Sequence, residues 1–237
     1  MTRGVTTLET MVRDLRLETR RSSNTNFGQD EYEALKRLLY RTQFFLYWDF
    51  AWPFLKVRRD ITLQATDRYY DFPTDMDFER IIRVRANGNG AWTPIIRGIG
   101  MEQYDIFDSD DAETSFPVER WDIIDAGSGD QLEVWPMPSQ DDEILRFEGF
   151  KKLADFSADD DVCTLDDTLI VLFAAAELLT GEDPELAKVK LQAANKLYLR
   201  MRGGAERREG GFFVMGAGSP PADPHNRPSV IAVHDGA

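Results

Sequence analysis

The chain has 237 residues, 42% of them hydrophobic and 30% charged, and a formal net charge of −14. That is enough apolar material for one large or two small packed domains. No run approaches the about 18 to 20 apolar residues of a membrane span, no apolar segment behind a basic one marks a secretory signal, and the single cysteine, Cys163, excludes an intramolecular disulfide and a Cys-rich zinc site. The expectation is a soluble, acidic protein made in a reducing compartment.

Thr6 and Glu9 match a capping box, in which a hydroxyl and a carboxylate three residues on satisfy free amides reciprocally. Val5, Leu8, Met11, Val12 and Leu15 then mark one apolar face of a first helix. Polar residues 20–28 read as a loop. A second helix is predicted from about Asp30, with Tyr32, Leu35, Leu38, Leu39, Phe45 and Leu46 along one side. It must stop at or before Trp52, because Pro53 disfavours helical geometry in its predecessor.

From Val57 the period becomes two, as in a half-buried strand. Short runs of the same kind follow at 68–72, 80–86, 92–97, 119–125, 131–135 and 143–150. Asn87-Gly88-Asn89-Gly90 predicts a tight hairpin, since a type I′ turn needs positive φ at both central positions. Residues 126–130 read as another tight connection, and 100–107 as a short helix between strands.

Helical character returns after the acidic loop 155–161. Thr164 and Asp167 match a second capping box, leading into an apolar helix over 169–179 with Gly181 after its end. This helix is apolar nearly all round, so it must be buried on several sides, one of which a neighbouring subunit could cover. Asp183-Pro184 fits an N-cap followed by proline at the first helical position. Leu186, Val189, Ala193, Leu197 and Met201 give the last helix its face, and Gly203-Gly204 is expected to end it. Beyond it the chain is rich in glycine and proline and reads as an extended arm.

The expected fold class is α+β. Residues 1–55 and 153–204 supply the helices of one bundle, 56–152 form an inserted, mainly antiparallel β domain, and 205–237 form the C-terminal arm. Charge is unevenly spread over this plan. Residues 101–170 hold 21 acids against Arg120, Arg146, Lys151 and Lys152, a net −17 that accounts for the whole excess. Such a segment repels nucleic-acid phosphates rather than gripping them.

Little in the sequence points to catalysis. The only histidines, His225 and His234, fall in the arm, and no nucleophile elbow, phosphate loop, dinucleotide fingerprint or zinc-protease motif is present. Asp108, Asp110 and Asp111, like Asp159, Asp160 and Asp161, could offer carboxylates to calcium, but neither group has the spacing of a calcium loop. No cofactor, metal or catalytic residue is therefore expected, although 42 acidic residues leave an acid/base hydrolase as the alternative. The aromatic run from Phe44 to Trp52 suits core packing with part turned to a subunit interface. Phe212, Phe213, Val214 and Met215 are large apolar residues in the arm. They suit an anchor captured by a partner, or docking back onto their own domain.

In this order the pieces resemble the head-to-tail adaptor (connector or tail tubular) proteins of tailed bacteriophages. The resemblance is carried by the opening helix 6–17, the Trp- and Phe-rich segment 44–55 and the strand Ile61-Thr62-Leu63-Gln64. Tyr69-Tyr70-Asp71-Phe72-Pro73-Thr74-Asp75 and Arg80-Ile81-Ile82-Arg83-Val84 follow, with the return to two helices over 164–202 and the glycine-rich tail. It implies a non-enzymatic virion protein, made in the host cytoplasm and placed at the capsid vertex. There it forms a homo-oligomeric ring, usually of twelve copies, below the portal protein and above a tail or nozzle protein. Genome DNA passes through without specific binding, and no membrane is involved. The resemblance gives the arm a portal contact, at Phe212, Phe213, Val214 and Met215. Leu169, Leu172, Phe173 and Ala176 on the all-round apolar helix are the candidates for the contact between subunits. Another neck or tail-completion ring shares most of these expectations.

Overall fold

The computed structural model describes residues 5–22, 29–88, 90–125 and 130–209, with Gln29 and 205–209 followed along the backbone only. The chain divides into two compact units, Met1–Pro53 with Ala154–Ala237, and Phe54–Leu153. The fold is mixed α+β, and no helix among the described residues is long and apolar enough to cross a membrane.

The first unit holds α1 (Leu8–Glu18), α2 (Gln29–Asp49), α4 (Asp167–Leu179) and α5 (Pro184–Glu209). Helix α4 packs against α5, α1 and α2, and α1 also meets α2. That explains how a helix with apolar residues all round is accommodated: Leu169, Ile170, Val171, Ala174, Ala175, Ala176 and Leu179 are all buried within this one chain. The N-cap of α1 is Thr7, whose hydroxyl accepts from the Thr10 amide at 3.4 Å, and not Thr6. Thr6 instead donates its hydroxyl to Asp167, tying the start of α1 to the start of α4. The N-cap of α4 is Asp166, accepting from Leu169 N–H at 3.1 Å, which displaces the expected Thr164–Asp167 box. Thr164 is occupied elsewhere, its hydroxyl accepting from the Ala154 amide at 2.9 Å.

Asp183 caps α5 as expected, its carboxylate accepting from Leu186 N–H at 3.1 Å. The helix does not end at Gly203-Gly204 but continues to Glu209. Each glycine costs about 1 kcal/mol in a helix, and the strong helix formers Ala205, Glu206, Arg207, Arg208 and Glu209 outweigh that. The remainder of the arm, including Phe212, Phe213, Val214 and Met215, lies outside the described residues.

The second unit is a seven-stranded sheet in the order β1-β9-β3-β4-β6-β7-β2. Its strands are β1 (Lys56–Leu63), β2 (Tyr69–Asp71), β3 (Met76–Gly88), β4 (Ala91–Arg97), β6 (Arg120–Asp125), β7 (Asp130–Trp135) and β9 (Glu143–Lys151). A four-residue helix, α3 (Met101–Tyr104), lies between β4 and β6, and β5 (Thr114–Ser115) pairs with β8 (Met137–Pro138). Pairing in the large sheet is antiparallel except between β4 and β6. The predicted hairpin is present: Gly88 pairs with Ala91 and Gly90 takes φ +81°. The link between β6 and β7 falls outside the described residues.

Alternation along these strands sends Leu63, Val84, Trp121, Leu132, Val134, Leu145 and Phe147 into one core. Trp121 meets Phe147 edge-on at 5.5 Å. Glu143 is drawn in at the end of β9, accepting from the Val118 amide at 3.1 Å while its other carboxylate oxygen has no partner among the described residues. Strand β9 lies between β1 and β3, in register with Lys56 opposite Phe150 and Leu63 opposite Glu143.

Candidate interaction surface

An open groove of about 950 Å3 lies between α2, α4 and α5. Helical spacing builds each wall: Thr42, Phe45 and Asp49 recur on α2, while Ala187, Leu191, Asn195 and Tyr198 recur on α5. Phe173, Ala176, Glu177 and Thr180 of α4 complete the lining. Ala176 and Ala187 contribute small, buried side chains to the lining, and Phe45, Trp48 and Leu191 contribute large, exposed ones. Phe45 is 61% exposed, Trp48 43% and Leu191 44%. Large apolar side chains grouped in this way make the groove a candidate binding surface, since single exposed ones need no explanation but a patch does.

Polar groups frame the groove. Arg41 pairs with Glu177 at one side. Tyr198 donates its hydroxyl to Asp49, and burial together with that hydrogen bond raises the phenol above its ordinary value. Trp52 meets the Tyr198 ring edge-on at 5.9 Å and anchors its own indole N–H on the Leu46 carbonyl at 2.8 Å. Apolar and aromatic side chains with polar groups among them are the composition of a protein–protein contact.

The aromatic run therefore divides by helical phase. Leu46, Tyr47 and Trp52 are buried, whereas Phe44, Phe45 and Trp48 are exposed. The four helix positions singled out from the sequence divide too. Phe173 and Ala176 line the groove, Leu172 is half-buried, and Leu169 is wholly covered inside the chain itself. Leu169 thus has no surface left for a neighbour, because α1 and α2 already flank its helix. Val189, Leu191 and Leu199 on α5 are exposed apolar residues that sequence reasoning passed over or assigned to the inner face.

The acidic segments have structural work. Carbonyls of Asp161 and Asp159 accept from the Leu8 and Glu9 amides at 2.8 and 3.1 Å, satisfying the first turn of α1. The Asp159 carboxylate takes Lys36 at 2.7 Å and the Tyr32 hydroxyl at 2.9 Å, and these hold it below the usual carboxylate range. The Asp161 carboxylate accepts the Ala158 and Ser157 amides, each at 2.6 Å, and is lowered for that reason. Among the described residues no group of three or more His, Cys, Asp or Glu is placed to hold a metal ion.

In the sheet unit, Arg68 organises the segment between β4 and β6. Its guanidinium takes Glu133 of β7 at 2.7 Å, the Tyr104 hydroxyl at 2.6 Å, and Asp110. Tyr104 in turn donates to Glu133 at 2.6 Å. Burial and that hydrogen bond push the Tyr104 phenol up to about 12. The indole of Trp135 donates to the Phe107 carbonyl at 3.0 Å, a second tether for the same segment.

Against known proteins, residues 6–215 match the family model of the SU10 adaptor protein. Curated proteins yield no match. With most of its length matched, the chain belongs to the SU10 adaptor protein family of bacteriophage structural, virion-associated adaptors.

Proposed function

We propose that the chain is a head-to-tail adaptor, and that copies of it form a ring below the portal through which genome DNA passes to the tail. The observation that carries this reading is the open groove lined by Phe45, Leu191 and Phe173. A face so apolar on an adaptor with helices α2, α4 and α5 around it suits a neighbouring copy's bundle. The arm residues Phe212, Phe213, Val214 and Met215 are assigned the portal contact by analogy of position alone, and the net −17 of residues 101–170 suits a surface that DNA passes without adhering.

Light scattering of the full chain, alone and with a cognate portal ring, tests the reading. A ring-sized mass, or monomers recruited only by the portal, supports it. Phe45→Asp with Leu191→Asp should abolish that mass while leaving the circular dichroism spectrum intact. A monomer that ignores the portal sinks it.

A further inference from the structure

Arg85 of β3 stands directly opposite Arg146 of β9. Like charges facing each other across two strands repel, where an opposite pair would stabilise. Arg58 and Arg83 lie on the same face, both in register with Glu148. They share that carboxylate at 3.4 and 2.8 Å, while Arg146 holds Asp60 at 2.7 Å and covers the Trp92 ring at 4.3 Å. Arg85 has no carboxylate partner among the described residues. The four arginines and Trp92 line a hollow of about 180 Å3, and Arg58 and Arg83 keep 70% and 53% of their side-chain surface in solvent.

We propose that this arginine face binds the acidic loop 101–113 of a second copy of the chain. The same unit carries the complement. Glu102, Asp105 and Asp111 are exposed and unpaired among the described residues, in a segment that Arg68 and Trp135 tether to β7. Exposed Met101 and Ile106 belong to the same segment as those carboxylates, and exposed Ile82 and Ile96 belong to β3 and β4, the strands of Arg83, Arg85 and Trp92. Charge and apolar surface are thus matched on two different patches of one molecule, and two different patches generate a head-to-tail contact, which gives a ring where its rotation closes. The inference rests on the assembly reading above and names a contact within it. A nucleic-acid backbone is the poorer occupant. Four arginines sharing Asp60 and Glu148 leave a surplus of two charges, too few to hold phosphates in so acidic a chain.

The test compares the full chain with Arg85→Glu/Arg146→Glu and with Asp105→Arg/Asp111→Arg by sedimentation at low salt. Each variant should self-associate on the order of tenfold more weakly, the loss expected from one or two close charge pairs. An equimolar mixture of the two should associate again, and about 1 M salt, with a screening length of about 3 Å, should undo it. Circular dichroism melts establish that both variants fold. Association unchanged in both folded variants overturns the inference and leaves the ring reading standing, as that is judged by mass on the portal. A wild-type chain that shows no contact between copies at any salt, with or without the portal, overturns it as well. Duplex DNA bound by the wild type and released by Arg85→Glu/Arg146→Glu would assign the face to phosphates and overturn the carboxylate occupant.

Discussion

A Cβ added to Gly149 of β9 would lie 3.0 Å from the carbonyl oxygen of Arg80 on β3. The approach is this close where the register slips: Ile81 faces Gly149 and Arg83 faces Glu148, so Ile82 bulges outward. Gly149→Ala should cost about 1–3 kcal/mol, because the obstructing atoms are backbone and cannot rotate away. A chemical denaturation midpoint equal to the wild type would show that the strands can separate there without loss.

Glu143 is buried, and desolvation raises its carboxyl above the ordinary range against the pull of the Val118 amide. Its folded value exceeds its unfolded one, so the native state holds the proton more tightly. The resulting contribution is present at acid pH and declines as pH rises through the folded value. Glu143→Gln should therefore stabilise the protein at pH 7, where it removes a buried charge, and give no advantage in acid, where the carboxyl is already neutral. Melts across the acid-to-neutral range check the sign. An advantage that grows toward low pH would refute it.

Arg68 neutralises Glu133, which is 4% exposed. Arg68→Ala strands that carboxylate and should cost about 3–5 kcal/mol. Tyr104→Phe removes only a hydroxyl from the same network and should cost about 1–2 kcal/mol. Equal losses from the two variants would show that the guanidinium is not what holds Glu133.

Tyr32, Tyr70 and Tyr104 each have phenols pushed up to about 12, by burial first in every case. Since the folded values exceed the ordinary value of 10.0, the stability they bring is whole below that pH and is lost as pH climbs through the folded range. A spectrophotometric titration should show a late-titrating group of tyrosines that disappears on unfolding. Normal titration of all seven tyrosines in the folded protein would exclude this.

Period-two runs in the sequence locate all seven strands of the large sheet; in β7 the alternation of residue type survives although Leu132, Glu133, Val134 and Trp135 are all buried, because Glu133 is drawn in by Arg68. The two-residue strands β5 and β8 escape, being too short to show any period, and the parallel β4–β6 pair leaves no local trace. Both capping boxes are misplaced because Thr6 and Thr164 make tertiary hydrogen bonds that spacing cannot foresee. Gln43 is fully buried, donating to the Ala154 carbonyl at 3.3 Å and accepting from the Thr164 amide at 2.8 Å, and nothing in its helical neighbourhood announces that role. The aromatic run is conspicuous in the sequence, but which half faces outward depends on how α4 and α5 meet α2. The arginine face is harder still. Arg58, Arg83, Arg85 and Arg146 come from three strands, and they converge only because β9 enters between β1 and β3.

The pairing of Lys56 with Phe150 places the beginning and the end of the sheet unit on adjacent strands, roughly 5 Å apart by ordinary sheet geometry. A segment whose two ends meet can be removed or exchanged with little change to the sequence on either side, as in tolerated domain insertions. Descent could then reshape the sheet and its loops as a cassette, fitting them to new neighbours, while the helices that flank it evolve under separate constraints.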